Sequence, residues 1–182
     1  MQAEYEIGLK WTAFPLHPET PEDGQTLEQL FAGQAVDWDQ VLARLKTAAQ
    51  EAGLPFAVRR MTYNSRLAQE LAKWAESLDR GEEYHRAVFQ AYFAEGKNIG
   101  KILELLELAR SLGLPEAEAE RVLRERTYKQ AVDLDWTRSR DLGIRAVPTF
   151  VLGRQSLVGA QPYKQLAALM DSAGVRRRGD ER

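Results

Sequence analysis

The residues of this chain that could do covalent chemistry are few. Its 182 residues contain no cysteine and only two histidines, His17 and His85, which lie far apart in the sequence. Without a thiol, the chain can neither form a disulfide nor attack one as a thiolate. The sequence also lacks a Walker loop, a GxGxxG turn, an HExxH motif and a Ser-His-acid set. The remaining candidates for function are residues that could bind a ligand without reacting with it.

Carboxylates surround one of the two histidines. His17 lies in a proline-rich loop with Glu19, Glu22 and Asp23, and these four side chains could be drawn as a metal site. The loop offers no second imidazole and is not expected to have a fixed geometry, so we interpret the carboxylates as solvated. His85 lies in a helical pattern, where packing or local capping is expected. The sequence therefore predicts no metal site.

The most informative stretch is "GIRAVPTFVLG", residues 143–153, in which Pro148 stands between Val147 and Thr149. The β-branched and aromatic residues predict a buried strand. A proline inside a strand forfeits a ladder hydrogen bond, so its position at the start of this strand needs a reason. The next stretch, "QSLVGAQ", follows closely enough to complete a β-hairpin.

The N-terminal region predicts a second strand. Residues 4–14 alternate strictly between apolar and polar, which is the pattern of a half-buried strand. The apolar face consists of Tyr5, Ile7, Leu9, Trp11 and Ala13. Three prolines and a glycine make residues 15–24 an extended loop.

Helical periodicity follows the loop. Asp37 is expected to cap a helix that ends near Gly53 and buries Val41, Leu42 and Leu45. The pattern is then helical from residue 64 to about residue 142.

Further residues mark where helices begin within and after this region. Asn64 and Asn98 are expected to cap two of the helices, and Pro115 suits the first turn of a third. After the predicted hairpin, Pro162 begins a last amphipathic helix.

Composition limits the classes of partner. The chain has 25 basic and 27 acidic residues, a formal charge of −2, and 44% hydrophobic residues. This balance gives no net field to attract nucleic acid or an anionic membrane. The N-terminus lacks the pattern of a secretory signal, and no apolar run approaches the length of a membrane span. We expect a soluble cytoplasmic protein.

The stretch from Asn64 through "AYFAEGKNIG" to "LGIRAVPTFVLGRQSLVGAQPYKQL" resembles the DsbA-like thioredoxin-fold family. The likeness is to its cytoplasmic FrnE-like branch and to the related 2-hydroxychromene-2-carboxylate isomerases. "LKWTAFPLHPETPEDG" resembles the second strand and following loop of that branch.

The resemblance implies an α/β, thioredoxin-like fold with a small mixed sheet that is incomplete at its N-terminus. It further implies that residues 1–55 and 143–175 form the thioredoxin-like part. Residues 56–142 would be a large α-helical insertion, and residues 176–182 are expected to be a disordered tail.

In this family the proline matching Pro148 is cis and exposes the main-chain N–H and C=O of the preceding residue, here Val147. The resemblance thus implies that Val147, Pro148 and Thr149 hold an extended peptide or glutathione by β-augmentation. Trp11 and Phe14, at the end of the predicted first strand, lie on the side where the family keeps its active site.

Asn64 resembles an asparagine of the family and is expected to be a helix cap first and a ligand contact second. The family places a Cys-x-x-Cys, or a serine in the isomerases, at the start of the helix after its first strand. This chain has no counterpart of that strand and helix, about 25 residues by average element lengths. No catalytic residue is predicted.

The function implied by the resemblance is that of a thiol-disulfide oxidoreductase family protein whose given chain cannot run the redox step alone. Two alternatives remain: a non-catalytic, chaperone-like module that binds polypeptide, and a relative of the glutathione-dependent isomerases. The expected partner is an extended polypeptide or a small thiol, and no resident cofactor is predicted, with glutathione as the one candidate. Neither nucleic acid nor a membrane is expected as a partner.

The missing strand would be central in the family's sheet, between residues 4–14 and the strand opened by Pro148. Three outcomes are open. The first, which we rank highest, is that the true start lies upstream. The second is that a partner chain supplies a strand, with self-association into a homo-oligomer through the open edge as one form. The third is that the two remaining strands pair directly.

Overall fold

The chain forms two compact units in a computed structural model that describes residues 1–179. One, the helical unit, comprises residues 17–133. The other, the terminal unit, comprises residues 1–16 and the chain from Leu134 onward. These boundaries differ from the predicted helical insertion of residues 56–142, because Asn64 and Asn98 hold the loop after residue 16 in the helical unit.

The helical unit contains most of the helices described in residues 1–179. In chain order its elements are β1 (Gln25–Thr26), α1 (Leu27–Leu30), α2 (Trp38–Glu51), β2 (Met61–Thr62), α3 (Arg66–Ser77), α4 (Gly81–Phe93), α5 (Ile102–Ser111) and α6 (Glu116–Glu125). Strands β1 and β2 pair antiparallel, with Gln25 opposite Thr62. Helix α7 (Lys129–Asp141) crosses the boundary between the two units.

The core of the helical unit lies among α3, α4, α5 and α6. Its fully buried side chains include Leu71, Trp74, Tyr84, Leu105 and Leu123. Each large apolar side chain buried in this way contributes roughly 1.5–3 kcal/mol of transfer free energy. The Tyr84 hydroxyl donates to the carbonyl of Ala68, so this aromatic ring is buried without an unpaired polar group.

Helix α2 agrees with its predicted start and departs from its predicted core. The Asp37 side chain accepts a hydrogen bond from the Gln40 N–H at 3.0 Å, so the predicted cap is confirmed. Leu42 is the buried residue of this helix, whereas Val41 is half-buried and Leu45 is exposed. The predicted burial of Val41 and Leu45 was wrong because no other described element packs extensively on α2.

The terminal unit contains the predicted hairpin and last helix. Strand β3 (Thr149–Leu152) pairs antiparallel with β4 (Gln155–Val158), and α8 (Tyr163–Ser172) begins directly after Pro162. These predictions are confirmed. Leu152 and Leu157 pack against a small buried cluster of Tyr5, Leu169 and Met170.

The predicted strand at residues 4–14 does not form. Within residues 1–179, this segment pairs as a strand only at Tyr5, through an isolated bridge to Arg177. Alternation supplies a suitable apolar face, but a strand also needs a neighbour for its backbone groups, and no described strand runs alongside. Leu9 and Trp11 are consequently exposed.

The described strands form two separate antiparallel pairs, β1–β2 and β3–β4, whereas a single small mixed sheet was expected. Direct pairing of residues 4–14 with β3, one of the three outcomes considered above, is not seen in residues 1–179. Each pair therefore has to be stabilised by the helices and loops of its own unit.

The C-terminal residues are more ordered than expected as far as the structure describes them. The Glu6 N–H donates to the Arg176 carbonyl at 2.9 Å, and the Arg178 N–H donates to the Glu4 carbonyl at 2.7 Å. Residues 176–178 pair with the N-terminal segment, where a disordered tail was expected. The rest of that predicted tail, residues 180–182, lies outside the described residues.

Among the helices in the described part of the chain, none combines the length and apolar character that crossing a bilayer requires.

The turn at Gly24 gives a test of packing in the helical unit. Its φ is +82°, and an added Cβ would lie 2.4 Å from Tyr63 Cδ1 and 2.6 Å from the Thr62 carbonyl oxygen. Gly33 has a similar φ of +87° with open space around it. Both Gly→Ala changes should cost about 1–2 kcal/mol for the left-handed backbone. Gly24→Ala should cost about 1–3 kcal/mol more through overpacking.

Urea unfolding of both variants measures this difference. Equal losses in the free energy of unfolding would show that Gly24, in the turn before β1, is not packed against Thr62 and Tyr63 as described.

Candidate functional site

The side of β3 that faces away from β4 carries unpaired backbone groups. The Gly159 N–H donates to the Pro148 carbonyl at 2.7 Å, which makes this a hydrogen-bonded pair of the antiparallel ladder. Hydrogen-bonded and non-bonded pairs alternate, so Thr149 and Val151 direct their N–H and C=O groups away from β4. Within residues 1–179, no backbone hydrogen bond reaches those groups. This open side is called the outer edge of β3 below.

The residue that precedes the strand adds a further pair of open main-chain groups. The Val147–Pro148 peptide bond is cis, the isomer that the resemblance implies, and Val147 is exposed. On either side of Val147 the carbonyls are taken: that of Ala146 accepts from Thr149 Oγ1 at 2.6 Å, and that of Pro148 accepts from Gly159. The Val147 N–H and C=O make no backbone hydrogen bond with the described residues.

The hairpin is covered on one face only. Leu152 and Leu157 lie on the face that packs against the buried cluster near α8. Val151 and Val158, whose side chains point to the opposite face, are 41% and 56% exposed. An extended segment added at the outer edge of β3 would therefore meet apolar side chains on the uncovered face.

Trp11 and Phe14 belong to the same unit as Val147, and helix α7 holds the backbone between them. The Ala13 N–H donates to Asp135 Oδ2 at 2.9 Å, and Ser139 Oγ donates to the Ala13 carbonyl at 3.4 Å. Two side chains one helical turn apart thus pair the N–H and the C=O of Ala13, as a neighbouring strand would.

Asp135 and Ser139 were missed by the sequence reasoning. Both are nearly fully buried. The only signal was their i, i+4 spacing, which puts two small polar side chains on one face of a predicted helix.

Asn64 lies in the helical unit and has a structural task. Its Oδ1 accepts from the Arg66 N–H at 2.9 Å at the start of α3, while its Nδ2 donates to the carbonyls of Pro18 and Thr20. The N-cap position of α3 is Ser65, one residue after the predicted cap, so Asn64 orders the turn into the helix and also holds the proline-rich loop. Its role as a ligand contact stays a prediction.

Asn98 holds the same loop further along. Its Oδ1 accepts from the Gly100 N–H at 2.9 Å, and its Nδ2 donates to the Glu22 carbonyl at 3.0 Å. It orders the turn before α5, which begins at Ile102, and does not cap the first turn of that helix directly. The loop was expected to lack a fixed geometry; that expectation was wrong, because two asparagine side chains hold its carbonyls.

Charged side chains join the two ends of the terminal unit. The Tyr5 hydroxyl donates to Asp171 Oδ1 at 2.9 Å, and Arg177 donates to both oxygens of the same carboxylate. The Arg177 hydrogen bonds, together with that of Tyr5, lower the pKa of Asp171. The hydrogen bond from Tyr163 to the Glu4 carboxylate, with some burial, raises the pKa of Tyr163 to about 12.

The hairpin that begins at Pro148 is followed directly by helix α8, and the helical unit precedes it in the chain. The match to a thioredoxin-domain family model places the protein in the thioredoxin-like class. Comparison with known proteins gives the family. Residues 1–171 match the family model described as a DSBA-like thioredoxin domain, so the chain belongs to the DsbA-like thioredoxin family.

Solved structures with the same fold include the probable DsbA oxidoreductase SCO1869 from Streptomyces coelicolor. It is 27% identical with a TM-score of 0.82, and the match covers 94% of this chain and 75% of that one. A 2-hydroxychromene-2-carboxylate isomerase is 22% identical with a TM-score of 0.63, covering 75% of this chain and 65% of the isomerase. The second likeness shows the fold alone.

Among curated proteins, YwbO of Bacillus subtilis (strain 168) is 39% identical over 98 residues. The match covers 52% of this chain and 48% of YwbO. The matched part is therefore about half of that relative's length.

The Asp171 carboxylate predicts how stability depends on pH. Its pKa in the folded chain lies below its ordinary value of 3.8, so its ion pair stabilises the fold above that value and is lost as the pH falls below it. Asp171→Asn should lower the urea midpoint at pH 7, and the difference from the unchanged protein should narrow as the pH is taken from 5 to 3.

Glu82→Gln is a suitable control, since Glu82 is exposed and its contact with Arg86 is long, at 3.5 Å. A midpoint difference for Asp171→Asn that stays constant over this pH range would contradict the described ion pair.

Proposed function

We propose that this chain binds an extended segment of polypeptide by adding it as a strand to the outer edge of β3, next to Val147. The observation that carries the proposal is the row of main-chain groups at Val147, Thr149 and Val151, which have no backbone partner within residues 1–179. An open strand edge is a template for a further strand.

The binding strength expected of this edge is modest. Each main-chain hydrogen bond contributes a net ~0.5–1.5 kcal/mol, because both groups exchange water for the new partner. The exposed Val151 and Val158 side chains add apolar contact on one face of the incoming strand. A ligand with small apolar residues at alternate positions suits this surface best.

The family context supports thiol-disulfide exchange on polypeptides as the process that this binding serves. Since the chain contains no cysteine, the attacking thiolate would come from another molecule. The part of this chain would be to hold the substrate polypeptide in an extended conformation. This is the binding module of the sequence-based alternatives, used within the chemistry of the oxidoreductase family.

Two proline variants test the proposal on opposite edges of one hairpin. Val151→Pro removes an N–H from the outer edge of β3, and Val158→Pro removes one from the far edge of β4, while both leave the β3–β4 hydrogen bonds in place. The probe is a fluorescein-labelled heptapeptide of alternating valine and threonine with flanking lysines, measured by fluorescence anisotropy. Val151→Pro should weaken binding about tenfold, which corresponds to ~1.4 kcal/mol, and Val158→Pro should leave it nearly unchanged.

Equal losses in both variants, or no binding by the unchanged chain, would contradict the proposal. Displacement of the peptide by glutathione would indicate that a small thiol binds the same main-chain groups of Val147, Thr149 and Val151. A concentration-dependent dimer in analytical ultracentrifugation that the peptide dissociates would show that a second copy competes for the edge.

A further inference from the structure

A pocket lined by charged and apolar side chains lies in the helical unit at the beginning of α3. Its volume is about 220 Å³, below the ~300–1,000 Å³ of pockets that enclose drug-sized molecules. A ligand of a few non-hydrogen atoms is therefore the right size. The lining residues are Glu22, Asn64, Arg66, Leu67, Gly100 and Arg126.

A buried carboxylate fixes both arginines of this pocket. The Glu70 side chain is fully buried, and its Oε1 accepts from Arg66 Nε at 2.6 Å. Arg126 donates to both oxygens of Glu70, from Nε and Nη2, at 2.7 Å each. Burying one carboxylate requires such compensation, and this accounts for why the two guanidinium groups lie here. The charge of Glu70 does not explain why the two arginines also line an open pocket.

Arg126 keeps donor capacity after this pairing. Arg66 is further engaged by the Lys129 carbonyl and by Asp133. In contrast, Nη1 of Arg126 has no hydrogen-bond partner among residues 1–179, and the side chain is 40% exposed. The hydrogen bonds to Glu70 raise the pKa of Arg126, so the group stays charged. A guanidinium held on one side by a carboxylate is preorganised to bind a second one on its other side.

The other lining residue with an unpaired charge is acidic. Glu22 is exposed, and its carboxylate forms no ion pair in the part of the chain that the structure describes. The charges around the pocket, two arginines against Glu22, Glu70 and Asp133, leave no positive excess for a multiply charged anion. Arg126 Nη1 and the Glu22 carboxylate, one positive and one negative group without a partner among residues 1–179, suit a ligand that carries both charges.

We propose that this pocket binds a small zwitterion of the α-amino acid class. The ligand carboxylate accepts from Nη1 of Arg126, and its ammonium group faces the carboxylate of Glu22. Leu67 gives an apolar wall that suits a short aliphatic side chain such as that of alanine. The site shares no residue with the peptide edge proposed above.

Isothermal titration calorimetry of the full chain with L-alanine tests this site, with acetate and ethylammonium as probes that carry one charge each. Alanine should bind saturably and more tightly than either single-charge probe. Glu22→Gln should weaken alanine binding about tenfold and leave acetate unaffected, the loss expected for one charged hydrogen bond. Glu19→Gln, which changes an acid of the same loop outside the lining, should have no effect.

Arg126→Gln should abolish binding of both alanine and acetate. Because this variant also removes a partner of Glu70, its circular dichroism and urea midpoint must be measured alongside. If Arg126→Gln fails to fold, the Glu22→Gln variant still tests the proposal. Absence of saturable alanine binding, or binding unchanged in Glu22→Gln, would overturn the proposal. Neither result bears on the heptapeptide experiment.

Discussion

Backbone hydrogen bonding is the constraint on which the terminal unit depends. Every extended segment exposes N–H and C=O groups that must pair with protein or with water. Strand β3 meets this requirement on one side through β4, whereas its outer edge is open within residues 1–179. Residues 7–14 also have no strand neighbour among residues 1–179, and Ala13 is held by side chains of α7. The capacity of this unit to bind another strand follows from pairing that the described residues leave incomplete.

The two units meet the cost of folding in different ways. The helical unit buries a continuous apolar core and compensates its one fully buried carboxylate, Glu70, with two arginines. The terminal unit has a much smaller buried cluster, and polar contacts between the N-terminal and C-terminal segments supplement it. Exposed apolar side chains on its hairpin are what an interaction surface needs. Apolar burial is thus concentrated in the helical unit, whereas the open main-chain groups lie in the terminal unit.

Local sequence signals predicted the elements that local interactions determine. The Asp37 cap, the hairpin after Pro148 and the helix after Pro162 follow from neighbouring residues, and all three form. The family was also predictable, since "GIRAVPTFVLG" and its flanks carry a specific pattern. The strand at residues 4–14 was not, because alternation describes a side chain's face and says nothing about whether a neighbouring strand exists.

Long-range side-chain contacts account for the other differences between prediction and structure. Asn64 and Asn98 bind carbonyls more than 40 residues away, which places the loop after residue 16 with the helical unit. The pairing of Asp135 with Ala13 likewise spans 122 residues. No local periodicity carries such information, so the unit boundary and the support of residues 11–14 required coordinates.

Amide hydrogen exchange along β3, followed residue by residue by NMR, tests the central claim most directly. The account predicts slow exchange at Phe150 and Leu152, whose N–H groups face β4, and fast exchange at Thr149 and Val151, whose N–H groups face outward. Equal protection at all four amides in the unliganded chain would show that the outer edge is already paired, and would contradict the account.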